Sequence, residues 1–253
     1  MASMPDEVFD DDRLAPLYDV LDPDRSDLDT YLAIADEVVT ETILDIGCGT
    51  GVFALLLADR GKRVIGVDPA KASLAVARVK PGAERVTWIL GDATALPPLQ
   101  VDLVTMTANV AQVFLTDEGW DETLQAAFAA LRPGGELAFE TRNPAARAWE
   151  QWVPATSRTT TDVPGVGPVT EWYELNEVRE EPLLVTFTAH NVLPDGVDIP
   201  SISTLRFRAR HEIVSSLKHV GFADVRVEDL PYAPGKGWLV RTQRPLTEGA
   251  VDG

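Results

Sequence analysis

A chain of 253 residues, 45% of them hydrophobic, suits one large domain or one domain with a substantial insertion. Its 40 acidic against 22 basic residues give a net charge of −18 without any basic run, which argues against a nucleic-acid partner and for a solvated acidic surface. No apolar run approaches the roughly 20 residues that span a bilayer, one cysteine excludes an internal disulfide, and His190, His211 and His219 form no metal-spaced cluster with it.

The first residues, Met1 to Glu7, lack the basic region and apolar core of a signal peptide, so a cytoplasmic protein is expected. Residues 1 to 13 are acidic and poor in core residues, which predicts a loose arm; residues 1–27 as a whole read as an N-terminal arm and cap. From Leu14 to Val39 apolar residues recur in helical fashion, with Leu28, Leu32, Ala35 and Val39 on one face and Ser26 or Asp27 as cap. Tyr18, in Leu17-Tyr18-Asp19, either packs on the core or closes over a ligand.

The run Ile43-Leu44-Asp45-Ile46-Gly47-Cys48-Gly49-Thr50-Gly51 reads as a buried strand, a tight glycine turn and the start of a helix over Val52 to Arg60, closed by Gly61. Glycine permits positive φ and close approach of main-chain N–H groups, and a helix N-terminus offers unpaired donors with a partial positive charge. A second strand, Arg63 to Asp68, ends in an acid 17 residues beyond Gly51. A carboxylate at that strand tip can accept from two ribose hydroxyls at once. Pro69 then opens a helix continued by Ala70 to Val79.

A third strand, Val86 to Leu90, leads to Gly91-Asp92-Ala93, and a fourth covers Val101 to Thr107. A helix over Glu122 to Leu131 stops at Arg132-Pro133-Gly134-Gly135, and a fifth strand, Glu136 to Glu140, runs into Thr141-Arg142-Asn143-Pro144. Strands and helices alternating at these lengths predict an α/β fold with a doubly wound, mostly parallel sheet over residues 28–148.

The rhythm then changes. Trp149 and Trp152 are three apart and share a face if helical, as a lid or as core. Pro154 to Pro168 reads as a loop, and Val169 to Val178, Leu184 to Val192 and Ile202 to Arg210 read as three strands without helices between them. This predicts an antiparallel insertion over 149–210. The alternation in Leu205-Arg206-Phe207-Arg208-Ala209-Arg210 places the arginines in solvent. A last helix over 211 to 220 stops at Gly221, and Phe222 to Leu230 with Gly237 to Gln243 form an antiparallel pair, because Pro231 to Pro234 is too short for a crossover. These complete a core segment of 211–245 and bring the main sheet to seven strands; 246–253 reads as a frayed tail.

The motifs Ile43 to Gly51, Gly66-Val67-Asp68, Gly91-Asp92-Ala93, Val101-Asp102-Leu103-Val104 and Leu131-Arg132-Pro133-Gly134-Gly135 occur at compatible spacing. On them the chain resembles the class I S-adenosylmethionine-dependent methyltransferases of small-molecule type, over roughly residues 28 to 143, with a Rossmann-like sheet. The resemblance implies that Gly47, Cys48, Gly49 and Gly51 form the loop under the methionine portion of S-adenosylmethionine. By the same resemblance Asp45 orients that loop or meets the methionine amino group, and Asp68, followed by Pro69, takes the ribose hydroxyls. It further implies Asp92 and Ala93 at adenine, Asn109 and Val110 at the sulfonium end, and Tyr18 and Tyr31 in the covering segment. A nicotinamide dehydrogenase fits less well, since the run lacks the third glycine of G-x-G-x-x-G.

Methyl transfer from a sulfonium needs alignment and exclusion of water more than a marked catalytic side chain, so the catalytic residue stays open. His190, in the insertion, is the candidate base, with a structural histidine as the alternative. Cys48 reads as a small packed residue rather than an activated thiol. The segment Thr107-Ala108-Asn109-Val110-Ala111 lacks the Pro-Pro-aromatic motif of base-amino methyltransferases, which points to a small-molecule O or N acceptor. Tyr31, Arg142, Asn143, Trp149, Trp152, Trp172, Tyr173 and His190 are the substrate-pocket candidates. A cofactor-binding regulatory protein without methyl transfer is the reading from another class, and the insertion is also a candidate homodimer contact.

Overall fold

The computed structural model describes residues 5–37 and 40–246. Its first helices, α1 (Glu7–Asp10), α2 (Tyr18–Leu21) and α3 (Leu28–Glu37), precede strand β1 (Thr42–Ile46). Every residue of β1 is buried, as its apolar run on both faces requires of a central parallel strand. Helix α4 (Val52–Asp59) buries Phe53, Ala54, Leu57 and Ala58, a stripe at helical spacing, and ends before Gly61 at φ 78°. Then come β2 (Arg63–Asp68), α5 (Lys71–Val79), β3 (Val86–Leu90), β4 (Val101–Met106), α6 (Asp117–Ala130) and β5 (Leu131–Arg142).

The insertion contains α7 (Pro154–Ser157) and strands β6 (Thr159–Val163), β7 (Gly167–Glu180), β8 (Leu183–Val192) and β9 (Ser201–Arg206). Helix α8 (Arg210–Val220), stopped by Gly221, and strands β10 (Ala223–Asp229) and β11 (Gly237–Gln243) return to the core. The main sheet has the order β10-β11-β5-β4-β1-β2-β3, with β11 antiparallel to both neighbours and the remaining pairs parallel. The four insertion strands form a second, antiparallel sheet, β6-β7-β8-β9. The expected doubly wound α/β fold with an antiparallel insertion is therefore what forms.

Two apolar cores flank the main sheet. One gathers Trp120, Leu124 and Ala127 of α6 with Ile213 and Leu217 of α8; the other gathers Tyr31 and Leu32 of α3 with Phe53 and Leu57 of α4. A smaller cluster, Trp149, Val185 and Phe207, lies under the insertion. No helix among the described residues is long and apolar enough to cross a membrane.

Four expectations are corrected. Residues 5–13 do not form a loose arm: Asp6 accepts from Ser203 Oγ at 2.6 Å, the Val8 N–H donates to Ser201 Oγ at 3.0 Å, and Asp10 accepts from the Ala72 N–H at 3.0 Å. The acids that suggested disorder are the groups that dock this segment between the insertion and α5. Helix α6 starts at Asp117 rather than Glu122, because Thr116 accepts from the Gly119 N–H and two acids fill the first turn. Leu131 opens β5 rather than closing the helix, as the proline two residues on favours extended backbone ahead of it. The Pro154 to Pro168 stretch holds α7 and β6, so the insertion has four strands, not three.

The arginines of residues 205–210 also lie differently. Arg206 and Arg208 are buried, and they join the insertion to the loop after β4. Arg206 pairs with Asp117 at 2.7 Å and donates to the Leu115 carbonyl; Arg208 donates to the Phe114 and Thr116 carbonyls and lies 4.9 Å from the centre of the Trp120 ring. Simple alternation missed this because β9 ends at Arg206 and a loop redirects the chain beyond it. Val39 and the tail beyond Leu246 lie outside the described residues. If the docked arm contributes as described, Asp10→Ala removes the acceptor at the start of α5 and lowers stability by about 1 kcal/mol. Urea unfolding of the two proteins measures this.

Candidate functional site

The sheet order reverses between β1 and β4, and open α/β sheets place ligand crevices at such a point, beyond the C-terminal ends of the strands. Here the loop after β1 turns sharply, and the N–H groups of Gly47 and Cys48 both donate to the Val67 carbonyl of β2, at 2.8 and 3.2 Å. Gly47, Gly49 and Gly51 all have left-handed backbone, with φ of 73°, 52° and 80°. At two of these positions space is decisive as well. A Cβ on Gly47 would meet the Val110 side chain at 2.5 Å, and one on Gly51 would meet the Trp88 ring at 2.5 Å. Gly51 also precedes α4 without a side-chain cap, leaving the donors of its first turn to other partners.

Two acids stand on this loop. Asp68, at the tip of β2, accepts from the Gly49 N–H at 2.8 Å and the Ala70 N–H at 2.7 Å; burial nevertheless raises its pKa. Pro69 lies between Asp68 and Ala70. Asp45, fully buried in β1, accepts from Thr105 Oγ1 at 2.9 Å through one oxygen. Its other oxygen, Oδ2, is buried and has no partner among the described residues. Burial pushes Asp45 up to about 7, against the Thr105 hydrogen bond. Cys48 is buried too, and burial drives its thiol well upward, so it is a packed thiol rather than a reactive one.

Farther along the same edge, Asp92 caps the short turn Ala93–Ala95, accepting through Oδ1 from the Thr94 N–H and Oγ1; Ala93 is buried. After β4, Ala108 and Asn109 are consecutive left-handed residues with φ of 51° and 62°. Non-glycine residues reach that region only at a cost, and two together mark a strained turn. It is held by Glu140, whose Oε1 accepts from the Asn109 N–H at 3.2 Å. Val110, next in the turn, packs against Gly47.

Glu140 and Tyr232 were not anticipated. Glu140 is buried at the end of β5, and its Oε2 accepts from Tyr31 Oη at 3.0 Å and from Tyr232 Oη. Burial raises its pKa, and both phenols oppose that. Glu140 ends the apolar run Leu137-Ala138-Phe139 just as Asp45 and Asp68 stand in theirs, a signal that was readable. Tyr232, in the loop between β10 and β11, had no local signal.

The N-terminal segment is fastened to the glycine loop and α5. Asp19 accepts from Thr50 Oγ1 at 2.6 Å and pairs with Lys80 at 2.5 Å, while Lys80 also donates to the Thr50 carbonyl. Tyr18, one residue before Asp19, packs on Phe9 with ring centroids 5.6 Å apart, and burial raises its pKa to about 12. Arg142, at the end of β5, donates to Gln112 Oε1 at 2.9 Å and lies 5.5 Å from the centre of the Trp152 ring.

The remaining pocket candidates lie elsewhere. Tyr31 is wholly buried on Phe53, and Trp149 is 2% exposed against Phe207, so both are core. Asn143 caps a turn, accepting from the Ala145 N–H and donating to the Gly235 carbonyl. Side chains alternate across β7, so Trp172 lies on the face opposite Tyr173. His190 stacks on Trp172 at 4.6 Å and is held by Asp198 at 2.7 Å, away from Tyr173 and Arg142. The candidate base is therefore a packed histidine on the outer face of the insertion. No group of metal-ligating residues exists among those described.

Residues 43–135 match the family model described as a methyltransferase domain. The malonyl-[acyl-carrier protein] O-methyltransferase of Serratia marcescens is 38% identical over 107 residues, 40% of this chain and 38% of that protein. The ubiquinone biosynthesis O-methyltransferase of Pseudomonas fluorescens is 34% identical over 111 residues, 41% of this chain and 46% of that protein. The chain thus spans less than two thirds of the length of these relatives. Among solved structures, the CcbJ methyltransferase from Streptomyces caelestis superposes with a TM-score of 0.71 at 19% identity, covering 90% of this chain and 96% of its own. CalS10, an amino pentose methyltransferase from Micromonospora echinaspora, gives 0.67 at 20% identity, with 90% and 96% covered. Residues 43–135 thus match a methyltransferase domain, and the chain shares the fold of these solved methyltransferases.

The raised Asp45 carboxyl has a pH signature. Its folded pKa of about 7 exceeds the unfolded value of about 3.9, so its contribution to stability is full below about pH 4 and is lost as pH rises to about 7. Asp45→Asn keeps an acceptor for Thr105 and removes the titration. Its stability relative to the wild type is therefore expected to rise between pH 4 and pH 7 and then level off in urea unfolding curves.

Proposed function

We propose that this protein moves a methyl group from S-adenosylmethionine to an oxygen or nitrogen of a small molecule. The observation that carries the reading is the pair of acids on the glycine loop: Asp68 across Gly49, and Asp45 with a buried, unpartnered oxygen. An orphaned buried carboxylate oxygen is costly, and a ligand cation such as a methionine ammonium would satisfy it. Asp68 has lone pairs left for ribose hydroxyls, and the cradle under Gly47 and Gly51 leaves no room for a side chain. Asp92 and Ala93 would meet adenine, with Asn109 and Val110 at the sulfonium end, and Tyr18 would cover the ligand from the cap.

S-adenosylmethionine supplies an already activated methyl on sulfonium. What remains for the chain is to orient the acceptor, keep water out and provide a route for one proton. The cap, fastened by Asp19 to Thr50 and Lys80, excludes solvent from above the loop. The Ala108-Asn109 turn, fixed by Glu140, sets the wall opposite the glycines. Tyr232, partly exposed and hydrogen-bonded to Glu140, is the group able to take an acceptor proton while handing its own to the carboxylate.

Relatives named for O-methylation of malonyl-[acyl-carrier protein] and in ubiquinone biosynthesis, and the N-terminal methyltransferase for cypemycin from Streptomyces sp, support both acceptor atoms. The single buried cysteine suits a reducing, cytoplasmic setting, and the open edge of β6 supports association of two copies through the insertion. A sedimentation series that stays monomeric would remove the dimer.

Calorimetric titration of S-adenosylhomocysteine is expected to show one site in the wild type, lost in Asp68→Ala and in Gly47→Val, with no heat from a nicotinamide dinucleotide. Release of S-adenosylhomocysteine on addition of a small-molecule extract is expected from an enzyme. Binding without any release would instead favour a regulatory protein.

A further inference from the structure

Arg142 ends β5 two positions after Glu140, so the two side chains leave the same face of the strand at the ligand edge of the sheet. A guanidinium carries five N–H donors in a rigid fork. Among the described residues one hydrogen bond is made from it, Nη1 to Gln112 Oε1 at 2.9 Å, and the group lies 5.5 Å from the centre of the Trp152 ring. Arg132, Arg147, Arg206 and Arg241 each pair with a carboxylate; Arg142 has no ion pair among the described residues. Its neighbour in the strand, Glu140, spends its oxygens on Tyr31, Tyr232 and the Asn109 N–H.

Burial lowers the Arg142 pKa, while Glu140 and the phenols of Tyr173, Tyr232 and Tyr18 act in the other direction. A guanidinium taken partly out of water without a direct ion pair is unfavourable, so the position suits an anion that arrives from outside. The three phenols come from three elements: the N-terminal cap, the insertion and the terminal hairpin.

The surrounding charge limits what that anion is. Glu140 leaves the same face of β5 two residues away, and burial raises its pKa. A single guanidinium balances one negative charge, and a phosphate dianion would leave a surplus beside that acid. A carboxylate matches both the charge and the two parallel donors of the fork.

We propose that Arg142 binds a carboxylate carried by the methyl acceptor. The acceptor class is then a carboxylic acid bearing a separate oxygen or nitrogen nucleophile. The assignment rests on reading the crevice as a methyl-transfer site.

The test titrates acetate and benzoate, with acetamide and benzamide as neutral matches, into protein saturated with S-adenosylhomocysteine. Calorimetry and tryptophan fluorescence follow the wild type, Arg142→Met and Arg142→Lys. Saturable binding of at least one acid over its amide is expected, weakened by about tenfold or more in Arg142→Met and partly retained in Arg142→Lys. Unchanged S-adenosylhomocysteine affinity shows that the variants remain folded. Absence of acid binding, equal binding of acid and amide, or acid binding that Arg142→Met leaves intact overturns the proposal. Failure of S-adenosylhomocysteine to bind the wild type would count against the parent reading instead, and the acid titration into the protein alone would still decide the anion site.

Discussion

A carboxylate withdrawn from water needs donors, and the ligand edge of the main sheet is organised around three that are so withdrawn. Asp45, Asp68 and Glu140 stand in or at the ends of β1, β2 and β5, and burial raises all three pKa values. Each fixes a different piece of chain. Asp68 ties the glycine loop to the start of α5, and Glu140 ties the turn after β4 to α3 and the terminal hairpin. Asp45 holds Thr105 of the adjacent strand and keeps one oxygen unpartnered. Asp68 and Glu140 are thus largely satisfied within the protein, while Asp45 is satisfied through one oxygen only.

Around these acids, the parts of the crevice are held by contacts distant in sequence. The cap is anchored at both ends, by Asp6 and Val8 on the insertion and by Asp19 on the glycine loop. The insertion is anchored by Arg206 and Arg208, whose donors are taken up by carbonyls of the loop after β4 and by Asp117. The cap is therefore joined by hydrogen bonds to the insertion, and the insertion to the loop after β4. An acidic protein here places its buried arginines where they join separate segments, while most of its excess acids stay in solvent.

Much of the fold was legible because the motifs are local. An apolar strand, a glycine turn and a helix start lie within about a dozen residues, and their periodicities leave little freedom. The strands β1, β2, β3 and β11 fall where the pattern put them, as does the stop of α8 at Gly221. Where the pattern failed, a longer-range partner had the deciding role. The acidic residues 5–13 are ordered by serines about 190 positions away, and the alternating arginines after Leu205 are drawn inward by carbonyls some 90 positions away. Tyr31 and Trp149, plausible as pocket aromatics, are core residues, because burial depends on which helix or turn packs behind them.

By itself the sequence determined the chemistry available at the strand ends: glycines able to take left-handed backbone, acids after apolar runs, and the alternation that makes the sheet parallel. Those properties belong to a residue and its immediate neighbours. Tertiary structure alone decided that Glu140 meets Tyr31 and Tyr232, and that His190 lies on the opposite face of the insertion from Tyr173. The reason is geometric: side-chain meetings across 90 or more residues depend on strand order and on how the insertion folds back, and no local periodicity records either.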